Sequence, residues 1–238
     1  MVNKKILIFF PKILYGGIEK NFYWLVSELL KKKIYKIDII TLNKPSTIRI
    51  KNKNLNIIQI KNFNNYKEND FFKNFKVFYL LIKFFYKTKK NYSCIISYKS
   101  HILILLLCLL YKLKIFIRIS NYHGYNKYEK KIYKFIINLI KFKIYKSFSY
   151  KVICPSKELS EELKKKFRLK SVWIPNPIQD FLIKNSKKKI KRKKNNYWNL
   201  VSVGRLSTQK NHELTIKSVS NIIKKNGIKN IRLNIIGD

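Results

Sequence analysis

The chain has 238 residues, 46% of them hydrophobic and 15% aromatic, and sets 53 Lys and Arg against 12 Asp and Glu for a net charge of +41. This apolar content supports a packed core and excludes disorder over most of a length that fits one large domain or one and a fraction. The charge invites nucleic acid or an anionic membrane as partner, yet no nucleic-acid recognition motif accompanies it, and the absence of alanine beside abundant Lys, Asn, Ile, Phe and Tyr offers A/T-rich codon bias as the blander reading of the bulk of the charge.

The opening M-V-N-K-K-I-L-I-F-F-P lacks a small-residue cleavage site and reads as a first β-strand over Lys4 to Phe10, not as a signal peptide. Its apolar continuity fits burial on both faces of a parallel sheet. A glycine loop at Gly16 and Gly17 follows. Phe22, Leu25, Val26, Leu29 and Leu30 then give a one-faced helix ending in Lys31 to Lys33, and Tyr35 to Leu42 returns as a strand, so the opening is a βαβ unit. Asn54 to Ile60 reads as a strand, and Asp70 to Tyr86 as a helix with Phe71, Phe75, Tyr79 and Ile82 along one side. Tyr92 to Ser97, Ile115 to Ile119 and Lys151 to Cys154 are further strands, separated by helices near His101 to Leu113 and Tyr128 to Tyr145. This alternation predicts an α/β, doubly wound parallel sheet. In the next helix Ser156 is the expected N-cap, with Glu158, Glu161 and Glu162 early and Lys164 to Lys166 late, matching the helix dipole. The first domain closes near Pro177.

Cys94, Cys108 and Cys154 lie apart in apolar runs and read as reduced core thiols of a cytoplasmic protein, and with His101, His123 and His212 equally scattered no metal site is visible. The longest apolar run, Ile102 to Leu110, is far short of the roughly 18 residues that span a bilayer. Lys187 to Asn196, K-K-K-I-K-R-K-K-N-N, repels itself and reads as an extended linker, with nuclear localisation or nucleic-acid binding as the weaker alternative. The expected organisation is a first domain over 1–184, a basic linker over 185–196 and the start of a second domain over 197–238.

Val201 to Asn211, V-S-V-G-R-L-S-T-Q-K-N, carries the chemistry. A short apolar strand runs into Gly204, a turn follows with Arg205 and Lys210, and His212 to Lys225 has helical periodicity through Leu214, Ile222 and Ile223. In such a unit the loop sits at the carboxyl end of the strand and the helix N-terminus aims N–H groups at an anion. Arginine's fork and lysine's mobile charge suit a diphosphate. The competing reading is a solvated basic turn.

The string G-R-L-S-T-Q-K-N, followed by a helix and L-N-I-I-G-D, resembles the start of the second domain of retaining glycosyltransferases of group 1 (family 4). Near the N-terminus P-K-I-L-Y-G-G-I-E is similar to that family's P-x-x-x-x-G-G-x-E pattern. K-V-I-C-P-S-K-E-L-S-E-E-L through W-I-P-N-P-I is a looser match to the last strand, helix and crossing segment of its first domain. The resemblance implies a GT-B architecture, here a complete N-terminal Rossmann-like domain plus the first βαβ of a second. It implies sugar transfer with retention from a nucleotide-diphosphate sugar to a lipid-linked or polysaccharide acceptor in cell-envelope glycan synthesis. Arg205 and Lys210 would stabilise the leaving diphosphate, an electrostatic role of the kind that commonly dominates a barrier. Gly16, Gly17 and Gly204 would bring backbone N–H groups to the donor, and Asn121, with His123 beside it, falls near the position of a polar residue facing the sugar. Glu19 reads as structural. No cofactor and no metal are implied. The expected partners are the nucleotide sugar, the acceptor and the anionic inner face of the cell membrane, with no nucleic acid; the expected location is cytoplasmic and peripheral. The family's next motif, a pair of glutamates, would follow G-D and has no counterpart before Asp238. The expectation is therefore a chain truncated within the second domain and inactive as it stands, with a non-catalytic remnant that binds membrane or partners by charge as the alternative.

Overall fold

The computed structural model describes residues 4–14, 16–43, 50–60, 63, 71–88, 91–99, 101–119, 132–177, 196–228 and 230–237. The chain divides into two compact units, Met1–Ile178 and Gln179–Asp238.

In the first unit the elements run β1 (Lys4–Phe9), α1 (Gly17–Lys31), β2 (Tyr35–Thr41), β3 (Leu55–Gln59), α2 (Phe71–Lys87), β4 (Cys94–Ser97), α3 (His101–Tyr111), β5 (Ile115–Arg118), α4 (Ile132–Phe148), β6 (Lys151–Cys154), α5 (Lys157–Phe167) and β7 (Ser171–Trp173). The seven strands order as β3-β2-β1-β4-β5-β6-β7, every neighbouring pair parallel. This is the Rossmann-like, doubly wound α/β sheet expected of the first domain. The order reverses between β1 and β4, the switch point outside whose carboxyl ends such sheets bind ligands.

Strand alternation sorts the helices. Leu7 and Phe9 of β1 enter one core with Val77, Leu81 and Phe85 of α2, Leu105 and Cys108 of α3, Phe142 of α4 and Leu163 of α5. Ile6 and Ile8 enter the other, with Phe22, Val26 and Leu30 of α1. So α2 to α5 cover one face and α1 the other. The buried row of α2 is a correction to the sequence reading: Phe75 and Tyr79 stand on the outside, while Val77, Leu81 and Phe85 face the sheet. The helix is apolar on both sides, and periodicity alone does not choose between the two rows.

β7 was not expected as a strand. Ser171–Trp173 pairs with β6, and its Ser171 hydroxyl donates to the Ser160 carbonyl at 2.8 Å. Ser156 caps α5 as expected, accepting from the Leu159 N–H at 3.2 Å. Asp38 is the buried carboxylate of β2. Tyr92 donates to it at 2.5 Å and Lys5 pairs with it at 3.0 Å, which ties β1, β2 and the approach to β4 together. Burial and the Asp38 carboxylate together raise the Tyr92 phenol far above its usual range. The thiols of Cys94, Cys108 and Cys154 are all pushed up by burial, which keeps them protonated; Cys94 is half-buried and the other two are fully buried. Among the described residues no helix is long and apolar enough to cross a membrane.

The second unit holds β8 (Trp198–Val203), a 3-10 turn (Thr208–Lys210), α6 (His212–Asn226) and β9 (Ile231–Ile236), with β8 and β9 parallel. Asn211 caps α6 by accepting from the Leu214 N–H, and Gly227 closes it in the left-handed conformation at φ 64°. No residue of α6 is buried, and Val201, Val203, Leu214 and Ile216 remain exposed. One helix against a two-stranded sheet leaves Val201 and Val203 of β8 and Ile236 of β9 open to solvent. Amides of β8 and β9 should therefore exchange faster than those of β1, β2 and β4, by tenfold or more on the order-of-magnitude scale of local opening. Hydrogen-exchange mass spectrometry reads this directly, and equal protection would show a cover for these strands that their exposure does not reveal.

Candidate functional site

At the carboxyl edge of the first sheet, the loop after β1 is fastened at several points. Asn43 donates to the Ile13 carbonyl at 2.6 Å and accepts from the Ile13 N–H at 3.0 Å, while Thr41 donates to Asn43 Oδ1 at 2.9 Å. Phe10 stacks on Tyr98 and meets Phe22 edge-on, with centroids 5.1 Å apart in each case. This brings Gly16 and Gly17 to the start of α1. Gly16 has an extended backbone, and a Cβ on it would lie 2.8 Å from Glu19 Oε2. The glycine thus makes room for a buried carboxylate folded back over the helix start, which supports the structural reading of Glu19. Nothing stands within 4 Å of a Cβ on Gly17, so that position is the open one.

Two cations at this edge were not singled out in the sequence. Lys99 stands 5.5 Å over the Phe10 ring. Arg118, the last residue of β5, donates to Asn176 Oδ1 at 2.6 Å and lies 5.9 Å from the Tyr98 ring. Burial raises the Tyr98 phenol to about 12 against the opposing pull of Arg118. The available signal was position, since Arg118 ends a strand and Asn176 sits in the P-N-P that follows β7. His101 opens α3 and shares a 2.8 Å hydrogen bond with Ser97 Oγ. Its ring is desolvated against Tyr145 and lies near Lys141, which together lower its pKa to about 3 and keep it neutral. Asn121 and His123 lie outside the described residues.

In the second unit the structure brings Lys210 back against Gly204, the residue before Arg205. The Lys210 stem passes 3.1 Å from where a Gly204 Cβ would sit, so glycine here lets the lysine fold back over the strand end. Gly237, which sequence reading did not single out, is sterically obligatory: a Cβ there would come 1.8 Å from the Gly204 carbonyl oxygen. The two strand ends meet closely, with Gly204 N–H donating to Ile236 at 2.9 Å.

His212 holds this loop. Its Nε2 lies 3.2 Å from the carbonyls of Gly204 and Arg205, which only accept, so Nε2 carries the proton and donates to both. Nδ1 shares a 3.1 Å hydrogen bond with the Ser202 hydroxyl. The arrangement fixes the backbone beneath Arg205 while leaving both cationic heads exposed. Two exposed positive side chains thus precede a helix N-terminus, and both features are of the kind that attract anions. Among the described residues no three His, Cys, Asp or Glu side chains are grouped to hold a metal ion. An open groove of about 1030 Å³, lined by Lys31, Lys33, Lys36, Lys53, Asn52 and Asn54, lies at the opposite, amino edge of β2 and β3.

The fold recurs in known enzymes. A glycosyltransferase from Rickettsia africae aligns over 99% of this chain and 69% of its own, at a TM-score of 0.56 and 16% identity. MnaA of S. aureus, solved with UDP, aligns over 98% of this chain and 61% of its own, at a TM-score of 0.54 and 14% identity. UGT2 of Phytolacca americana, solved with UDP-2-fluoro-glucose and pterostilbene, aligns over 100% and 72%, at a TM-score of 0.55 and 10% identity. At such identities the likeness establishes the GT-B type fold. No protein-family model and no curated protein sequence matches the chain.

The histidine clamp makes its own prediction. His212→Ala removes donors to two loop carbonyls, each neutral bond being worth about 0.5–1.5 kcal/mol, so amides from Leu206 to Lys210 should exchange roughly 2- to 10-fold faster. The C-terminal half of α6 should be unaffected, and His212→Gln should recover part of the protection. Unchanged exchange in the alanine variant would mean that the loop is held by other contacts.

Proposed function

We propose that this chain is the acceptor-side domain and the opening of the donor domain of a retaining glycosyltransferase of group 1 (family 4), using a nucleotide-diphosphate sugar. The observation that carries this reading is the fixed strand–glycine–loop unit, in which His212 anchors the backbone and Lys210 folds over Gly204 beside Arg205. Such a loop suits the group that must leave. As the bond from the sugar to the diphosphate breaks, the bonding pair departs on a phosphate oxygen, and charge develops where Arg205 and Lys210 stand. The uncovered backbone at Gly17 supplies a helix start suited to a donor phosphate. UDP in the solved structure of MnaA and UDP-2-fluoro-glucose in that of UGT2 support a nucleotide sugar as substrate.

For the acceptor we propose a lipid-linked or polysaccharide glycan of the cell envelope. The resemblance and the basic surface support it, as does Arg118 at the first sheet's carboxyl edge, since such acceptors carry anionic groups. The protein would then work in the cytoplasm, peripherally on the inner face of the membrane. With positive side chains serving the diphosphate, no metal enters this reading, and nucleotide binding should survive chelation of divalent ions.

Arg205→Ala and Lys210→Ala each remove charge-assisted bonds of roughly 1.5–3 kcal/mol, so uridine or guanosine diphosphate should bind about 10- to 100-fold more weakly to each variant. Isothermal titration measures it. Identical affinities in wild type and both variants would return the loop to a solvated basic turn.

A further inference from the structure

α2 is a helix with two apolar sides. Opposite its buried row, Phe72, Phe75, Tyr79 and Tyr86 form a second stripe at 85%, 69%, 59% and 79% exposure. They recur at separations of three, four and seven residues, which is one face of a helix about 25 Å long. Rings of roughly 150–250 Å² each, exposed to this degree, make a patch on the order of 500 Å², at the upper end of what soluble monomers show without a partner.

The patch continues onto the neighbouring helices of the same layer. α3, which packs between α2 and α4, has no charged residue, a pattern expected of a helix enclosed on every side. Its Ile102, Leu106, Leu109 and Leu110 nonetheless face outward, as do Leu139 and Ile140 of α4. Charge is also sorted. α2, α3 and α4 contain no Asp or Glu, whereas α1, α5 and α6 all do. Lys76, Lys83 and Lys87 flank the aromatic stripe along one border.

We propose that this outer face of α2, α3 and α4 is the surface by which the protein seats on an anionic lipid bilayer, the rings entering the headgroup boundary and the lysines meeting lipid phosphates. The chemistry selects that occupant. Phe and Tyr with lysine stems suit an interface that is apolar on one side and charged on the other. A second copy would bring one +41 chain against another and is disfavoured by repulsion. The inference deepens the membrane part of the proposed function and does not depend on the nucleotide loop.

The test is flotation of the purified chain with phosphatidylcholine vesicles containing phosphatidylglycerol, across a salt series. Phe72→Ser/Phe75→Ser/Tyr79→Ser changes only outward positions and should lower partitioning by about tenfold or more, leaving a remainder abolished by salt. Lys76→Gln/Lys83→Gln/Lys87→Gln should move the salt midpoint down, while the same charge loss at Lys164, Lys165 and Lys166 of α5 should move it much less. Tyr79→Trp should be quenched by brominated lipid, which reads insertion even where the triple variant fails to fold. Wild-type partitioning by the ring variant, equal effects of the two lysine sets, absence of quenching, or a dimer lost in the ring variant with no change in vesicle binding would each overturn the proposal. Diphosphate titration of the same variants separates the two claims: lost vesicle binding with intact nucleotide affinity supports this surface, and Arg205→Ala should leave flotation unchanged.

Discussion

The first unit is organised around β1, a central strand whose side chains alternate between two cores. Leu7 and Phe9 anchor the layer of α2 to α5, while Ile6 and Ile8 anchor α1, and all four are essentially inaccessible to water. Pairing β1 with β2 on one side and β4 on the other places the reversal of strand order at its carboxyl end. The loop of Gly16 and Gly17 therefore emerges beside the one carrying Lys99 and, one strand further, beside Arg118 at the end of β5. Asp38 is one of several polar side chains buried in this unit, and it is matched by Tyr92 and Lys5. A buried carboxylate so paired is costly to leave half-satisfied, which fixes the register of the strands that meet there.

The two units share a local device. In each, a histidine opens the helix that follows a strand and bonds back to a serine at or near that strand's end, His101 to Ser97 and His212 to Ser202. The contexts differ in consequence. His101 is desolvated and held neutral, a packing element. His212 spends its other nitrogen on the carbonyls beneath Arg205 and so turns a flexible glycine turn into a positioned one. Gly237 completes that fixation by allowing the neighbouring strand end to approach within contact of Gly204.

What the sequence made legible follows from what short-range pattern encodes. Continuous apolar runs announced β1, β2 and the other central strands, because a strand covered on both faces has no polar side to hide. Ser156 was legible as a cap because capping chemistry is local. The orientation of α2 was not, since Phe75 and Tyr79 satisfy helical period as well as Val77 and Leu81 do, and the choice is made by the sheet beneath. β7 is three residues long and exists only by pairing with β6. Within the candidate site, Gly204, Arg205 and Lys210 were readable as strand end, turn and charge, and in the fold the Lys210 stem passes over Gly204. His212 and Gly237 escaped notice because their roles lie in contacts across the chain, not in spacing. The exposed stripe on α2 escaped for the same reason: a sequence shows that a residue is apolar, not how exposed it stands.

The central claim is that the loop from Gly204 to Lys210 receives a nucleoside diphosphate. Backbone amide shifts recorded while uridine diphosphate is added test it most directly, because they report where on the chain the anion lands. The account predicts that the largest changes fall on Gly204, Arg205, Lys210 and Asn211, with the lysine-lined groove around Asn52 and Asn54 little affected. Largest changes in that groove, or shifts spread evenly over the basic surface, would contradict it.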